Sequence, residues 1–380
     1  MRRVETIIVG GGVAGLGCAR TLVDAGHKDF LLFTKDVGGR VTHAFGEQEN
    51  FGAFYARDDY EHIVPFVKKR RRVNFWHAAF FRGWRKRTLH DLRNLPHLLS
   101  LIRLALTIFR MQQHYRRFRQ QAQFQSQHVL VHQDAFLYGL TQITGAQLLA
   151  QLGAEYWGEY FIRPVVRGTS FVDVDDVPAI VMLVILLPAI VPSYEFFFDL
   201  ENLTEPFAGT IKLASVTAVT KQEEGWEVTV DDGAVYRSTW LVLAVPPEEA
   251  KRLGQIEEPL NTPINVYLYS LDGEARAPYR DEPYNLLSPE HSDIALVREP
   301  DGSWLFASRR RRTDFSDYFT RWRVVAEKHW EPAFHTGTHI IDAERGDQLI
   351  LAGDYNAPTM EDAYITGVYA ANRILGKATV

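Results

Sequence analysis

The residues of this chain that are best suited to chemistry are three glycines near its beginning. An apolar run, residues 7–9, leads directly into Gly10-x-Gly12-x-x-Gly15 and then into a helix-like segment. Glycines at this spacing let the backbone turn sharply and approach a pyrophosphate, and the start of the helix offers free N–H groups to phosphate oxygens. The pattern predicts a dinucleotide site and leaves FAD and NAD both open. The residues expected to bind the cofactor here are Gly10, Gly12, Val13, Ala14 and Gly15.

A second apolar run, residues 30–33, is followed after a few residues by Gly38, Gly39 and Arg40. At these residues the sequence resembles the flavin amine oxidase and protoporphyrinogen oxidase superfamily, which includes the phytoene desaturases and carries Gly-Gly-Arg after its second strand. The resemblance implies that FAD is the cofactor and that Arg40 reaches its pyrophosphate. A guanidinium suits this role because it can donate two parallel hydrogen bonds to a diphosphate.

The residue that ends the second strand departs from the family. The family usually has an acidic residue here, which holds the adenosine ribose, whereas this chain has Thr34, followed by Lys35 and Asp36. We expect Thr34 and Lys35 to lie at the cofactor. Asp36 is the carboxylate that could take over the contact with the ribose.

Residues 216–247 alternate apolar and polar side chains around two glycine turns and then form an unbroken apolar run, residues 241–245. This pattern predicts a three-stranded meander that returns to a buried parallel strand. In the resembled family this segment is the second half of the FAD domain. The resemblance implies that Val216 contacts the adenine through its backbone, and that Ala244 and Val245 end the strand beside the cofactor.

Near the end of the sequence, the apolar run 349–352 meets Gly353 and Asp354, and a helix is predicted to begin near Met360. The resemblance implies that Gly353 and Asp354 hold the phosphate and ribityl chain, and that the helix points its N-terminus at the flavin pyrimidine. The positive end of a helix stabilises negative charge on a reduced ring. Asp362 stands where the family usually has glycine and adds a carboxylate near the helix start. The expected cofactor-binding residues of this segment are Gly353, Asp354, Thr359, Met360 and Ala363.

A Gly-Ala pair at residues 52–53 matches the small residues that the family places against the flavin, where only small side chains permit a close approach. We expect Gly52, Ala53 and Phe54 to contact the cofactor. The reconstructed topology also places four polar side chains toward the ring, although none is a convincing acid or base. These candidate catalytic residues are Tyr55, Asn265, Tyr267 and Tyr355.

The order of the motifs predicts an α/β protein. It has a Rossmann-like FAD-binding domain, with a parallel sheet plus a β-meander, and an inserted α+β substrate domain. The predicted boundaries are 1–66, 205–255 and 335–380 for the FAD-binding domain, and 67–204 and 256–334 for the substrate domain. Strands are expected near residues 264–269 and 303–307. The single cysteine, Cys18, excludes an intrachain disulfide, and the sequence enters its first strand without a signal peptide, so we expect a cytoplasmic protein.

Residues 68–119 contain 15 Lys and Arg against one acid, Asp91, so they carry +14 and leave −19 on the rest of a chain whose net charge is −5. Trp and Phe are interleaved with these cations between residues 75 and 84. Such a segment is either a solvated face or an interaction surface for an anionic membrane or an acidic carrier protein. A nucleic-acid partner is disfavoured because no nucleic-acid motif accompanies the charge. The membrane alternative would make the protein peripheral to the inner face of a membrane.

Two segments of the substrate domain are predicted to be helical. Apolar residues recur at helical spacing over 95–109, which indicates an amphipathic helix. The apolar segment 177–191 contains Pro178 and Pro188 and is shorter than the roughly 20 residues that a spanning helix needs. It is expected to be a buried helix that lines the substrate cavity, or else a monotopic membrane dip. Three aspartates, between residues 173 and 176, are expected to cap it rather than bind a metal.

The predicted function is that of an FAD-dependent oxidoreductase. It would remove hydride from a largely apolar small molecule (isoprenoid, lipid, polyketide or porphyrin-like) and pass the electrons to dioxygen or a quinone-like acceptor. A redox-neutral isomerase or cyclase is an alternative, as is a membrane-docked carrier that uses FAD structurally. Amine oxidation is a further alternative. Amine oxidases hold a water beside the flavin with a lysine on a strand comparable to 264–269, and this strand has no lysine.

Overall fold

The computed structural model describes residues 2–41, 51–254, 256, 262–336 and 340–378. Its strands are β1 Arg2–Val9, β2 Phe30–Thr34, β3 Ala56–Arg57, β4 Val67–Arg72, β5 Ala78–Arg82, β6 Arg85–Arg87, β7 Ser193–Phe198, β8 Ile211–Leu213, β9 Val216–Gln222, β10 Gly225–Val230, β11 Val235–Leu243, β12 Thr262–Ala275, β13 Tyr284–Leu287, β14 Asp293–Arg298, β15 Trp304–Ser308, β16 Phe319–Thr336 and β17 Leu349–Leu351. Its α-helices are α1 Val13–Asp24, α2 Leu98–Gln121, α3 Gln127–Gln133, α4 Ala135–Thr141, α5 Gly145–Gln151, α6 Glu155–Trp157, α7 Arg163–Ser170, α8 Ala179–Leu186, α9 Leu200–Thr204, α10 Pro247–Gly254, α11 Ala277–Arg280 and α12 Met360–Ile374.

The first sheet has the strand order β8-β2-β1-β11-β10-β9, with β17 also paired to β11. Strands β8, β2, β1, β11 and β17 run parallel, and β9 and β10 add an antiparallel meander. The long strand β11 belongs to both parts, because it pairs with β10 over its first half and with β1 throughout. The predicted Rossmann-like sheet with a meander is therefore confirmed.

The register of this sheet brings four strand ends to one edge. The last paired residues in adjacent positions are Val9, Phe33, Leu243 and Leu351. Ligands of open α/β sheets bind at the carboxyl ends of the strands. The loops that follow β1, β2, β11 and β17 are thus placed side by side, although they come from distant parts of the sequence.

Helices α1 and α12 pack against each other on one face of this sheet. Their close approach requires a glycine, because a Cβ atom on Gly367 would lie 2.0 Å from the carbonyl oxygen of Ala14. Cys18 is fully buried between them, as expected for a small core residue. Both helices begin at the sheet edge that carries the four loops, so their N-termini face the same space.

The second sheet has the order β16-β12-β15-β14-β13-β5-β6, and a short third sheet joins β3, β7 and β4. Strands β12 and β15 confirm the two strands that alternation predicts. One face of the second sheet packs on α7 and α8, and the other face has its own aromatic core. This mixture of sheet and helices confirms the α+β character of the inserted region.

Helix α8, within the apolar segment 177–191, is buried on nearly every side. The buried-helix alternative is therefore confirmed. The expected aspartate cap is wrong, because Pro178 precedes the helix without a side-chain cap, and Asp173 and Asp175 instead pair with Arg163. Within the described ranges, none of the helices combines the length and apolarity needed to cross a lipid bilayer.

The basic segment, residues 68–119, has part of its positive charge compensated by ion pairs in the folded chain. Within the part of the chain that the structure describes, six of its 15 cations form ion pairs with carboxylates from other parts of the chain. These six are Lys68, Lys69, Arg71, Arg82, Lys86 and Arg119. The cations that stay at the surface are concentrated on α2 and on the 3-10 helix Leu92–His97 that precedes it.

Candidate functional site

A cavity of about 850 Å³ runs from the first sheet to the second. At one end, which we call the cofactor end, it is lined by the loops at the carboxyl edge of the first sheet. At the other, the substrate end, it is lined by α7, α8 and one face of the second sheet. The cofactor end comprises residues 9–14, 33–41, 214–216, 244–246, 352–354 and 358–360. Its lining thus combines all three separated sequence motifs.

The glycine fingerprint forms the turn between β1 and α1. The Gly10 N–H donates to the Phe33 carbonyl at 2.8 Å, and Gly10 has a φ of +111°. A Cβ atom there would lie 2.1 Å from the Ala244 oxygen, so this position requires glycine. By contrast, the space above Gly12 is open, and α1 begins at the next residue without a side-chain cap. Free N–H groups therefore face an open part of the cavity, as a diphosphate requires.

Gly15, the third glycine, does not line the cavity. A Cβ atom on Gly15 would lie 1.9 Å from the carbonyl oxygen of Gly10, so its role is to let α1 pack against the turn. The loop with residues 35–40 lies across the same turn, because the Gly38 N–H donates to the Gly11 oxygen at 2.8 Å. Lys35, Gly38, Gly39 and Arg40 all line the cofactor end.

Thr34 is buried at the end of β2, where its hydroxyl donates to the backbone oxygen of Asp36 at 2.5 Å. Its side chain also occupies the space that a Cβ atom on Gly11 would need. The hydroxyl therefore organises the loop, while Asp36 remains on the cavity wall as the nearby carboxylate. Val216, Ala244 and Val245 also line this end, where the resemblance expects them.

Arg40 and Asp354 form an ion pair on the wall of the cofactor end. The Arg40 Nη2 atom lies 2.7 Å from Asp354 Oδ1, and Nη1 donates to the Ala333 oxygen at 3.1 Å. Burial acts to raise the pKa of Asp354, but the guanidinium outweighs it and the pKa lies below its ordinary value. The pair links two of the expected motifs directly, and it fixes the Arg40 side chain at the cavity.

The start of α12 completes the cofactor end with Thr359, Met360 and Ala363. Thr359 caps the helix by accepting the Asp362 N–H at 3.1 Å. The Asp362 carboxylate is buried and faces away from the cavity, where it accepts from Tyr115 Oη at 2.7 Å and Arg119 Nε at 3.1 Å. Because Arg119 compensates its charge, Asp362 does not cancel the positive end of the helix.

Arg119 belongs to a buried cluster that reaches the cavity wall. Its Nη1 atom donates to the Asp59 oxygen at 3.2 Å, and Asp59 also pairs with Arg57 at 2.8 Å. Arg57 and Tyr60 line the cavity, with the Arg57 guanidinium 4.9 Å from the Tyr60 ring. No local pattern in the sequence indicates this cluster, since Arg119 stands in a segment whose composition is that of a cationic surface.

The substrate end is predominantly apolar. Its aliphatic lining from strands β12 to β15 of the second sheet consists of Leu268, Leu286, Ala295, Val297, Leu305 and Ala307. Val184 and Ile185 of α8 face them, which confirms that the apolar segment lines the cavity. Phe54 and Trp330 stand nearer the cofactor end, and the Trp330 indole donates to the Phe51 oxygen at 2.5 Å.

The four candidate catalytic residues are not brought together. Tyr55 lines the cavity beside Gly52, Ala53 and Phe54. Asn265 and Tyr267 do not line it, because strand alternation turns Leu268 inward and Tyr267 outward, where its ring stacks on His329 at 4.1 Å.

Asn265 instead donates to Glu331 Oε1 at 3.4 Å. Tyr355 also lies outside the cavity lining, because its hydroxyl donates to the Val245 oxygen at 2.6 Å. These three side chains therefore do not contribute to the cavity wall.

Lys328 is a cavity residue that sequence reasoning missed. It lies on β16 opposite Leu268 of β12, and its ammonium is 4.4 Å from the Trp330 ring. Within the described part of the chain it forms no ion pair, and it is the only lysine at the substrate end. Its alternation with Trp330 in β16 is the signal that could have identified it. The described residues contain no group of three or more His, Cys, Asp or Glu side chains arranged to hold a metal ion.

A family model described as an NAD(P)-binding Rossmann-like domain matches residues 8–69. No curated protein matches the chain by sequence. The solved structures similar to it include a putrescine oxidase double mutant, with 12% identity, 99% of both chains covered and a TM-score of 0.70. A fatty acid isomerase from P. acnes, described as producing CLA, has 14% identity, 98% coverage of both chains and a TM-score of 0.67.

Reduced UDP-galactopyranose mutase is similar over 99% of this chain and 95% of its own, with 13% identity and a TM-score of 0.62. At these identities the likeness concerns the fold, and it extends over both sheets and not only the Rossmann-like segment. The chain therefore shares the fold of these solved structures over nearly its whole length.

Proposed function

We propose that this chain is an FAD-dependent oxidoreductase that removes hydride from a largely apolar small molecule. One observation carries the proposal: a single cavity joins a phosphate-binding turn to an apolar chamber. The turn suits a dinucleotide. The chamber suits a largely apolar substrate, because removing apolar surface from water favours binding. When bound, FAD supplies a ring system that accepts a hydride.

The residues at the cofactor end fit FAD. The open space above Gly12 and the uncapped start of α1 suit the diphosphate, and Arg40 adds a cation beside it. Val216 and Asp36 line the region expected for the adenosine, and the start of α12 lines the same end of the cavity. The positive end of α12 would favour negative charge on the ring during reduction.

The substrate end would bind and orient the molecule and exclude water from it. Aliphatic side chains from four strands and α8 offer no hydrogen-bond donors, so they select for shape and apolarity. Lys328 provides a cation on this wall. An isoprenoid, lipid, polyketide or porphyrin-like molecule with an anionic group would satisfy both features, whereas a protonated amine would be repelled by Lys328. We therefore rank amine oxidation below the oxidation of an apolar molecule that carries one anionic group. The electron acceptor would be dioxygen or a quinone-like compound.

The first experiment tests the cofactor. We expect the purified wild-type chain to be yellow, or to become yellow with added FAD, with near one flavin per chain. Gly12→Glu places a carboxylate in open space, so the protein should fold but lose at least about 100-fold in FAD affinity through charge repulsion and occupied volume. Gly139→Glu is the matched control, because Gly139 also has open space around its Cβ position and lies on the distant helix α4. Flavin retained equally in both variants contradicts the proposal.

The second experiment tests the reaction. Mass spectrometry of small molecules released from the purified protein would identify a bound substrate or product. An oxidase bleaches its flavin once when that substrate is added without oxygen, and turns over only when an acceptor is supplied. Sustained anaerobic turnover without acceptor would instead establish a redox-neutral isomerase. No substrate-dependent bleaching and no turnover would indicate a carrier with structural FAD.

A further inference from the structure

A stripe of exposed apolar side chains runs along the 3-10 helix Leu92–His97 and the first half of α2. Its six side chains are 53 to 77% exposed and are spaced alternately by three and four residues. They are Leu92, Leu95, Leu99, Ile102, Leu106 and Phe109. The opposite face of α2, with Leu104, Ile108 and Met111, packs into the core. Large apolar side chains so arranged on a protein surface mark an interaction site.

Cations accompany this stripe. Exposed arginines occur along the same two helices, and within the described residues none of them forms an ion pair. They are Arg93, Arg103, Arg110, Arg116 and Arg117. The sequence has no Asp or Glu from residue 92 to residue 133. Their charge is therefore not compensated locally, and an anionic partner would gain from it.

Alternate three- and four-residue spacing also suits the pairing of two helices, so a second copy of the chain must be considered. The positions that flank the stripe are Leu98, Ala105 and Gln112 on one side and Arg103, Arg110 and Arg117 on the other. An antiparallel pair would place arginines opposite arginines, and a parallel pair would place them opposite uncharged residues. A second copy therefore offers these cations no carboxylate, and charge complementarity favours an anionic surface instead.

We infer that this face docks on an anionic lipid bilayer, with α2 lying in the plane of the interface. Its apolar stripe would enter the boundary between headgroups and acyl chains while the arginines contact lipid phosphates. Trp76 and Trp84 are also exposed, and such side chains favour that boundary. Phe75, the residue before Trp76, lines the cavity. The inference does not depend on the proposed redox function.

Vesicle flotation with the full chain tests the inference. We expect the chain to float with vesicles of phosphatidylcholine and phosphatidylglycerol at low salt, to bind phosphatidylcholine vesicles at least about tenfold more weakly, and to dissociate from anionic vesicles as salt rises. No binding to the anionic vesicles at low salt would overturn it.

Two groups of substitutions locate the contact. The triple variant Leu99→Ser, Ile102→Ser, Leu106→Ser should lose binding by at least about tenfold, since each side chain buries apolar area in the bilayer. The triple variant Arg103→Gln, Arg116→Gln, Arg117→Gln should lose about fivefold per arginine and most of the salt dependence. Leu213→Ser is the control, because Leu213 is equally exposed on β8. Binding that is unchanged in both triple variants overturns the inference.

A site-specific fluorescent probe detects contact with the bilayer directly, without requiring a substitution that weakens binding. Cys18 is the only cysteine and is buried, so a single engineered thiol can be labelled. An environment-sensitive dye on Ala105→Cys should shift its emission to the blue when anionic vesicles are added. The same dye on Glu223→Cys, in the turn between β9 and β10, should not shift. A shift that instead follows protein concentration without vesicles, with a dimer in analytical ultracentrifugation, would assign the face to a second copy.

Discussion

The two ends of the cavity are lined by different parts of the polypeptide. The cofactor end is formed mainly by backbone turns, glycines and helix N-termini, whereas the substrate end is formed by side chains of sheet strands and α8. A backbone site needs particular residues at fixed spacing, so it leaves a pattern in the sequence. A side-chain wall needs only apolar residues that face the same way, which many sequences satisfy.

The pKa values of carboxyl groups near the two ends are shifted in opposite directions. At the cofactor end, Arg40 holds the pKa of Asp354 below its ordinary value against the effect of burial. Behind the substrate end, burial and the nearby Glu195 raise the pKa of Glu299 to about 7. Glu195 itself is bound by Arg71 and by Tyr284, which lines the cavity. Arg40 thus keeps Asp354 ionised, whereas burial and a neighbouring carboxylate shift Glu299 toward its neutral form.

The largest effect is expected where a buried ion pair links the start of α12 to α2. Arg119→Met should lower the free energy of unfolding by about 3–5 kcal/mol, because Asp362 is left buried without its cation. Arg117→Met, on the exposed face of the same helix, should change it by less than about 0.5 kcal/mol. Urea unfolding measures both.

The double variant Arg119→Met, Asp362→Leu sharpens this test. Removing both charges should recover a large part of the loss, because an apolar pair avoids the burial of an unpaired ion. If the double variant is as unstable as the sum of the two single ones, the pair does not hold the two helices together.

The next effect concerns the wall of the substrate end. Leu286→Ala should cost about 2 kcal/mol of unfolding free energy and alter which molecules bind, while leaving the flavin content unchanged. Leu271→Ala is the control, since Leu271 is buried on the other face of the same sheet. It should destabilise the fold without changing ligand selection. Flavin loss in Leu286→Ala would show that the two ends are not independent.

A smaller effect is expected from the cation of the substrate end. Lys328→Met should weaken binding of a long-chain carboxylic acid by about tenfold, corresponding to the loss of one charge-assisted hydrogen bond, and leave binding of the matching alcohol unchanged. Lys328→Arg should keep most of the affinity for the acid. Calorimetric titration of the three FAD-loaded proteins with the acid and the alcohol measures these affinities. Equal loss for acid and alcohol would assign Lys328 a packing role.

The smallest effect is the pH dependence that comes from Glu299. Its folded pKa, about 7, lies above the ordinary value of 4.5, so its contribution to stability is fully present below pH 4.5 and is lost as pH rises through about 7. Glu299→Gln should therefore reduce the loss of unfolding free energy between pH 5 and pH 8 by about 1 kcal/mol, because the partial solvent exposure of Glu299 screens part of the shift. Urea unfolding at both pH values measures this difference. Glu223→Gln, in an exposed turn, should leave the pH profile as it is.

Much of the first sheet could be predicted from the sequence because its signals are local. The apolar runs of β1, β2 and β17 are each followed by a glycine-containing turn, and alternation marks the meander. The glycines at 10 and 12 and the Gly-Asp pair at 353–354 could likewise be assigned to one cavity, because the resemblance implies that both segments contact the same cofactor. The predicted cofactor residues line that cavity, apart from Gly15, which packs beneath the turn.

The substrate end was less predictable because its residues depend on orientation. Asn265 and Tyr267 are in the expected strand but on the opposite face, since alternation alone does not say which face of β12 points inward. The apolar residues of α2 show the same limit. Their spacing predicts an amphipathic helix, yet the core receives a different face, with Met111 and Tyr115, and the stripe is left outside.

By itself, the sequence determined the glycine-rich turn after β1, the parallel sheet and the apolar character of residues 177–191, because each follows from residue type and spacing within one short segment. The tertiary structure alone decided that Arg119 is buried against Asp362, that Lys328 faces the cavity, and which face of α2 meets solvent. These outcomes depend on partners that are far apart along the chain. The free energy of a charge or an apolar side chain is set by the partner that folding brings to it.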